Sequence, residues 1–143
     1  MELVGTIDDN GKHIEVYDDF AHHPTAIETT LDGAKKRFAD NPNRKIWAVI
    51  EPRSNTMKLG THQGLLAPSA SIADQVIWYQ PANLDWSVVD AIGNAANQQV
   101  MTSTDAIIKH IAAHIGDDDA VIVMSNGGFE GIHGRLVKAL QQA

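Results

Sequence analysis

A short polar loop carries two carboxylates and two imidazoles, and it is the first part of this sequence where chemistry could occur. The loop reads Asp18-Asp19-Phe20-Ala21-His22-His23-Pro24, and its proline suits the first turn of a helix. These side chains could bind ribose hydroxyls, a phosphate or a metal ion. An acidic turn in which His22 or His23 caps the helix and packs on Phe20 accounts for the same residues. Four such groups in one short loop are unusual, so both interpretations stay open.

A second polar loop places an arginine among other hydrogen-bond donors. It reads Pro52-Arg53-Ser54-Asn55-Thr56-Met57-Lys58 and lies between a predicted strand and a predicted helix. Arg53 could form a bidentate pair with a carboxylate, because its guanidinium presents a fork of N–H donors. Asn55, Thr56 and Lys58 would add further donors. A solvated loop in which Thr56 is a helix N-cap is the simpler interpretation, and the sequence alone favours it somewhat.

A third loop is rich in glycine and reads Ser125-Asn126-Gly127-Gly128-Phe129-Glu130-Gly131. Backbone N–H groups in such a loop, next to a helix N-terminus, can cradle an anion. The loop is neither the dinucleotide fingerprint Gly-x-Gly-x-x-Gly nor a P-loop, since no Gly-Lys-Ser/Thr follows. A tight turn that needs glycine for its backbone explains the loop equally well.

Other combinations of reactive residues are weaker indications of a functional site. His110 and His114 lie four residues apart on a predicted helix and could bind zinc, but no Glu signature is nearby, so we expect a surface pair and no metal site. Ser125 lacks the Gly-x-Ser-x-Gly context of a serine hydrolase. Cysteine is absent, which excludes disulfides, zinc–thiolate sites and Cys nucleophiles.

Composition narrows the class of protein further. The chain has 143 residues, which is the size of one domain. Its formal net charge of −7 disfavours sequence-independent binding to nucleic acid, because such binding needs a basic surface. No apolar run approaches the roughly 20 residues of a membrane helix, and no signal peptide is visible at the N-terminus. We therefore expect a single cytoplasmic domain that binds neither nucleic acid nor membrane.

Hydrophobic periodicity predicts six strands and about five helices, mostly in βαβ units. Asn10-Gly11 between two extended runs predicts a hairpin, so one strand must run antiparallel to the rest. The pattern indicates an α/β fold with three layers, in which helices cover both faces of an open, mostly parallel six-stranded sheet. The predicted strands are Leu3–Ile7, His13–Tyr17, Lys45–Glu51, Gln75–Tyr79, Gln99–Met101 and Ala120–Met124.

Local signals predict the helices and their ends. The first helix begins near Pro24 and ends before Asn41-Pro42-Asn43, with cations in its last turn. A short helix is expected near 60–66, and Ser87 and Ser103 should cap the next two. A last helix carries Ile132, Leu136 and Leu140. In such a sheet, ligands bind beyond the carboxyl ends of the strands, where the three polar loops follow.

The three loops, in this order, resemble the C-terminal domain of the Mur ligases. Residues 16–25 resemble the family's Asp-Tyr-Ala-His-x-Pro block, with Phe20 in place of the Tyr. Residues 51–58 and 125–133 resemble the branch of the family that joins recycled L-alanyl-γ-D-glutamyl-meso-diaminopimelate to UDP-N-acetylmuramate. The resemblance covers essentially the whole chain.

The resemblance implies a Rossmann-like third domain over 1–143, with the UDP-sugar domain and the central ATPase domain, its expected partners, absent from this chain. ATP and Mg²⁺ would be bound mainly by the central domain, so the isolated chain should be inactive. In the intact enzyme, ATP would phosphorylate the lactoyl carboxylate of UDP-N-acetylmuramate. The amine of the incoming murein tripeptide would then attack the acyl phosphate.

The resemblance also divides the site residues between the substrates. Asp19 and His22 are expected to be catalytic and, with His23, to lie on the nucleotide side. The residues expected to bind the peptide are Arg53, Asn55, Thr56, Lys58, Asn126, Gly127, Gly128 and Phe129. Rival interpretations are the family's L-alanine-adding branch, a metal-dependent phosphoesterase using Asp18, Asp19, His22 and His23, and a non-catalytic module that binds a nucleotide or peptide.

Overall fold

The protein is a three-layer α/β domain, shown here by a computed structural model that describes residues 1–9, 11–21, 24–52, 65–82, 84, 86–125 and 128–141. Its six-stranded sheet has the order β1-β2-β6-β3-β4-β5. The strands are β1 (Glu2–Asp9), β2 (Lys12–Asp19), β3 (Ile46–Ile50), β4 (Gln75–Tyr79), β5 (Gln98–Met101) and β6 (Ala120–Met124).

One strand runs against the others, as the hairpin signal predicts. β1 pairs antiparallel with β2, whereas β2, β6, β3, β4 and β5 pair in parallel. At the hairpin, Gly11 has a φ of +78°, a conformation that glycine adopts without the steric penalty of a side chain. The predicted fold class is confirmed.

The two central strands are buried on both faces. Every residue of β3 and of β6 is buried, and successive side chains alternate between two separate core clusters. Ile122 packs in one cluster, and its neighbours Val121 and Val123 pack in the other. This is why both strands appear in the sequence as continuous apolar runs without alternation.

Helices cover both faces of the sheet. The first three pack on one face, with Ile27 and Leu31 at the centre of that cluster, and the last two pack on the other face. The helices are α1 (Pro24–Arg37), α2 (Leu66–Ala70), α3 (Val88–Ile92), α4 (Thr104–His114) and α5 (Ile132–Gln141). Of the helices within the described residues, none has both the length and the apolar character required to cross a bilayer.

The helix ends follow the local signals closely. The Ser87 side chain accepts a hydrogen bond from the Asp90 backbone N–H at 3.2 Å, and Ser103 accepts one from Ala106 at 3.3 Å. α1 begins at Pro24, and its last turn carries the positively charged side chains Lys35, Lys36 and Arg37. The short helix of the described chain is Leu66–Ala70, which shares only Leu66 with the helix expected near 60–66; residues 60–64 of that expectation lie outside the described residues.

Candidate functional site

The three polar loops leave the sheet from three neighbouring strands. β6 lies between β2 and β3, and their last residues are in register: Asp19 pairs with Met124, and Met124 pairs with Ile50. The chain leaves β2 and β3 toward α1 and α2 on one face, but it leaves β6 toward α5 on the other. Connections that diverge in this way open a crevice at the carboxyl edge, which is where open α/β sheets bind ligands.

Hydrogen bonds of Ser125 link the carboxyl ends of β2, β3 and β6. Its backbone N–H donates to the carbonyl of Asp19 at 3.0 Å, and its hydroxyl donates to Oε1 of Glu51 at 2.7 Å. The N–H of Glu51 in turn donates to the carbonyl of Met124 at 2.9 Å. The sequence places Ser125 at the start of the glycine-rich loop and Glu51 at the end of a predicted strand, but it predicts no contact between them. A carboxylate directly after a buried strand was the one signal that could have identified this pair.

Asp19 lies at the end of β2, where the sequence predicts a catalytic and nucleotide-binding residue. Its side chain is 16% exposed, and its Oδ2 accepts a hydrogen bond from the Thr30 hydroxyl of α1 at 2.5 Å. The amino group of Met1 lies 3.4 Å from Oδ1. Thr30 was not foreseen, because only the packing of α1 on the sheet brings it to Asp19. The role of Asp19 stays a prediction.

Asp18 is paired with a histidine from the far end of the chain. Its Oδ1 lies 2.7 Å from Nε2 of His133, in the first turn of α5. This contact joins the end of β2 to the helix that follows the glycine-rich loop. Within the described ranges, no three His, Asp or Glu side chains come together in a way that could hold a metal ion.

The glycine-rich loop ends in a left-handed turn. Phe129, Glu130 and Gly131 have φ values of 47°, 53° and 68°. The Phe129 ring is 3% exposed and packs against the Tyr79 ring, with 5.1 Å between centroids. Gly128 precedes this turn with an ordinary φ of −70° and is exposed. The peptide-binding roles of Gly128 and Phe129 stay predictions.

Tyr79 faces two carboxylates at this edge of the sheet. Burial, the hydrogen bond from its hydroxyl to Oε2 of Glu130 at 2.8 Å, and the negative charges of Glu130 and Glu51 together raise the pKa of Tyr79 to about 12. The phenol therefore remains a proton-bearing donor at neutral pH. The sequence had suggested no role for Tyr79 beyond its place in a strand.

The remaining predicted site residues lie outside the described residues, and their roles stay predictions. They are His22, His23, Arg53, Asn55, Thr56, Lys58, Asn126 and Gly127.

The histidine pair discounted as a zinc site lies at the opposite, amino edge of the sheet. His110 and His114 stack with 4.4 Å between ring centroids, and His114 Nδ1 lies 2.8 Å from the carbonyl of His110. They line a cavity of about 480 Å³ together with Lys45, Asp117 and Asp119. Burial, followed by the charge of His114, lowers the pKa of His110 below 6.5.

Comparison with known proteins finds one matching family and several similar relatives. The family model for the Mur ligase, glutamate ligase domain, matches residues 1–127. The UDP-N-acetylmuramate–L-alanyl-γ-D-glutamyl-meso-2,6-diaminoheptandioate ligase of Escherichia coli K12 is 44% identical over 133 residues, which cover 89% of this chain. The chain spans only 28% of the length of that relative.

Two solved structures share the fold at high similarity. A murein peptide ligase from Psychrobacter arcticus 273-4 is 55% identical, with a TM-score of 0.87, over 100% of this chain and 30% of that one. A domain from Haemophilus ducreyi 35000HP is 35% identical, with a TM-score of 0.78, over 97% of this chain and 98% of that one. The second structure was solved as a separate domain of the same extent as this chain.

Proposed function

Because the chain belongs to the Mur ligase family, we propose that it is the carboxyl-terminal domain of an ATP-dependent ligase that joins L-alanyl-γ-D-glutamyl-meso-diaminopimelate to UDP-N-acetylmuramate. The observation that carries this proposal is the 55% identity, over the whole chain, to a murein peptide ligase. The chain covers only 28% of the length of the ligase from Escherichia coli. The UDP-sugar domain and the central ATPase domain would therefore lie in other parts of the intact enzyme.

The proposed reaction has two steps. The γ-phosphoryl group of ATP passes to the lactoyl carboxylate of UDP-N-acetylmuramate, which gives an acyl phosphate and ADP. The amine of the peptide's alanine then attacks the acyl carbon, an amide bond forms, and inorganic phosphate leaves. This domain would hold the amine in line and exclude water as it closes over the central domain, a contribution of proximity and orientation.

We assign peptide binding to the loops that follow β3 and β6. The peptide carries several carboxylates at a distance from its reacting amine, and Arg53 would bind one of them as a bidentate pair. Asn55, Thr56 and Lys58 would add donors, and Asn126, Gly127, Gly128 and Phe129 would line the same pocket. The adjacency of β3 and β6, with Glu51 bonded to Ser125, supports this assignment, because both loops start from one place.

We assign nucleotide contacts and closure to the loop that follows β2. Asp19, His22 and His23 would act there, with Asp19 held at the strand end by Thr30. No P-loop occurs in the sequence, and no metal-ligating trio occurs within the described residues. The triphosphate and Mg²⁺ would therefore be bound by the central domain. The reaction would take place in the cytoplasm, where ATP and UDP-linked sugars are available.

The test uses the intact ligase that contains this chain, supplied with ATP, Mg²⁺, UDP-N-acetylmuramate and either the tripeptide or L-alanine. Release of phosphate and the mass of the product are measured. We expect ligation of the tripeptide by the intact enzyme and none by the 143 residues alone.

Three outcomes would contradict the proposal and indicate another function. A product from L-alanine alone would favour the L-alanine-adding branch. Metal-supported hydrolysis of a phosphodiester by the isolated chain would favour a phosphoesterase. Tight binding of ATP or tripeptide by the chain, with no ligation by the intact protein, would favour a binding module.

A further inference from the structure

The cavity of about 480 Å³ at the amino edge of the sheet lies opposite the edge from which the three polar loops leave. Its volume is within the range of pockets that hold small organic ligands. Its lining carries charges of both signs, positive at Lys45 and negative at Asp117 and Asp119. The proposed function uses none of these residues, so the cavity has no role in it.

Strand pairing brings two of these opposite charges to the same place. Ile46 and Ala120 are partners in the parallel pairing of β3 with β6, and Lys45 and Asp119 are the residues directly before them. The Ala120 N–H donates to the carbonyl of Lys45 at 3.0 Å, which continues the pairing toward the cavity. The cavity therefore opens where β3 and β6 begin.

The carboxylate of Asp119 is buried against the wall of the cavity. The residue is 5% exposed, and its Oδ2 accepts hydrogen bonds from Nε1 of Trp47 at 3.0 Å and from the N–H of Gly116 at 2.8 Å. Within the described residues both bonds of this side chain reach the same oxygen, which leaves Oδ1 to accept another. A buried carboxylate with an oxygen to spare favours a ligand that brings a charged donor.

The histidine pair adds a hydrogen-bond acceptor to the cavity. Nδ1 of His114 lies 2.8 Å from the carbonyl of His110, and because a carbonyl only accepts, Nδ1 carries the proton and the neutral ring has its lone pair on Nε2. Nε2 of His110 lies 3.1 Å from the amide nitrogen of Gln99, which can only donate. Burial lowers the pKa of His110, so its ring is neutral at pH 7.

The charges that line the cavity favour a ligand that carries both signs. Lys45 is exposed and makes no ion pair within the described part of the chain. Asp117 is also exposed, and its Oδ1 accepts from the N–H of His13 at 2.8 Å. A ligand with an amine alone would leave Lys45 uncompensated, and a ligand with a carboxylate alone would face two negative side chains. A molecule with both groups matches both sides.

We propose that this cavity binds a small zwitterion of up to about dipeptide size, whose ammonium group contacts Asp119, Asp117 and Nε2 of His114 and whose carboxylate pairs with Lys45. The inference goes beyond the proposed function and does not depend on it, because the site lies at the opposite edge of the sheet. It makes the domain a binder of a second small molecule, separate from the reaction at the carboxyl edge.

Titration of the isolated chain with a matched set of three probes tests this site. A domain of the same extent from a relative was solved on its own, so the chain can be studied alone. L-Alanyl-L-alanine carries both charges, its N-acetyl derivative lacks the ammonium, and its carboxyl-terminal amide lacks the carboxylate. NMR follows the indole N–H of Trp47 and the imidazoles of His110 and His114. We expect saturable changes with the dipeptide at a Kd on the order of 1 mM, and affinities about tenfold weaker for each analogue.

Variants assign each charge of the ligand to its partner. Lys45→Gln should weaken the dipeptide about tenfold and leave the Kd of the amide within about twofold. Asp119→Asn keeps the shape that accepts from Trp47, and it should weaken the dipeptide and the amide but not the N-acetyl derivative. Asp117→Asn, at an exposed position, gives the same comparison if Asp119→Asn does not fold. Lys109→Gln is the matched control, because Lys109 lies on α4 but lines a different groove, and it should change none of the three.

Three results would overturn the inference. Equal affinities for the three probes would show that the cavity does not distinguish their charges. An unchanged Kd for the dipeptide in Lys45→Gln would remove the partner of the carboxylate. Changes confined to Asp19 and Ser125, with none at Trp47, His110 or His114, would place the dipeptide at the carboxyl edge. Failure of the intact enzyme to join the tripeptide would contradict the proposed function and leave this inference standing.

Discussion

The Ser125 hydroxyl donates a hydrogen bond to Oε1 of Glu51 at 2.7 Å, across the boundary between β6 and β3. The same residue binds the end of β2 through its backbone N–H, and it is only 3% exposed. One buried serine therefore fixes the points from which the three polar loops leave the sheet. These loops cannot move far relative to one another at their origins, which is the kind of support that a preformed ligand site requires.

Replacing Ser125 by alanine should weaken peptide binding by the intact ligase. The substitution leaves Glu51 without this donor and loosens the starting points of the loops after β3 and β6. We expect the tripeptide KM to rise about 3- to 10-fold and the free energy of unfolding to fall by about 1 kcal/mol, the usual contribution of one hydrogen bond.

Ser71→Ala is the control for that experiment, because the Ser71 hydroxyl donates to the carbonyl of Pro68 at 2.8 Å on an exposed helix end. Steady-state kinetics and urea unfolding of both variants provide the measurements. Equal tripeptide KM values for Ser125→Ala and wild type would contradict the prediction.

Replacing Asp19 by asparagine should reduce turnover far more than stability. Asparagine keeps the shape of the side chain and can still accept the bond from Thr30, but it carries no charge. We expect kcat/KM to fall at least about tenfold if the carboxylate acts on the nucleotide side, with the melting temperature within a few degrees of the wild type.

Thr30→Ala separates the two roles of Asp19. It removes the bond at 2.5 Å and leaves the carboxylate in place, so it should lower stability with a smaller effect on kcat/KM. Thermal melting and steady-state kinetics of the two variants are compared. A large loss of stability with near-normal kinetics in Asp19→Asn would indicate a structural role alone.

The same kinetic comparison applies to His22→Ala, which should lower kcat/KM in the same way.

Replacing Arg53 by lysine should raise the KM for the tripeptide and leave the KM for ATP nearly unchanged. Lysine keeps the positive charge but cannot reproduce the two parallel bonds of a guanidinium to a carboxylate. A charged hydrogen bond contributes roughly 1.5–3 kcal/mol, so the tripeptide KM should rise on the order of 10- to 100-fold. Kinetics with each substrate varied in turn check this. A rise in the KM for ATP alone would place Arg53 on the nucleotide side.

The stability of the chain should fall in acid through His110. Its folded pKa lies below 6.5, mainly because of burial, so below about pH 6.5 the unfolded state takes up a proton that the folded state does not. The free energy of unfolding contributed by His110 therefore decreases as the pH falls through the interval between the two pKa values. NMR titration of the imidazole should give a pKa below 6.5, and His114→Gln should move it upward.

The contribution of His13 to the free energy of unfolding changes with pH in the opposite direction. A variant of His110 is therefore needed to measure the contribution of His110 alone. The hydrogen bond to Asp8 raises the pKa of His13, which adds stability as the pH falls. We expect the difference in unfolding free energy between wild type and His110→Gln to shift against the wild type as the pH falls through 6.5 and toward the lowered folded pKa of His110. A difference independent of pH would contradict this assignment.

Sequence patterns alone predicted the architecture because the fold depends on signals that are local. The apolar runs of β3 and β6, the hairpin at Gly11, and the caps Ser87 and Ser103 each report on residues within a few positions of one another. Hydrophobic periodicity and capping chemistry act over such distances, so the strands and helices could be located without coordinates. The same signals placed the three polar loops after strands, and therefore at one edge of a parallel sheet.

Only the tertiary structure decided which side chains meet at that edge. Glu51 and Ser125 are 74 residues apart, Tyr79 and Glu130 are 51 apart, and Asp18 and His133 are 115 apart. No periodicity links such residues, because their proximity follows from the strand order, which places β6 between β2 and β3. The left-handed turn at Phe129 and Glu130 likewise has no local sequence signal, since non-glycine residues adopt it only when distant contacts hold them there.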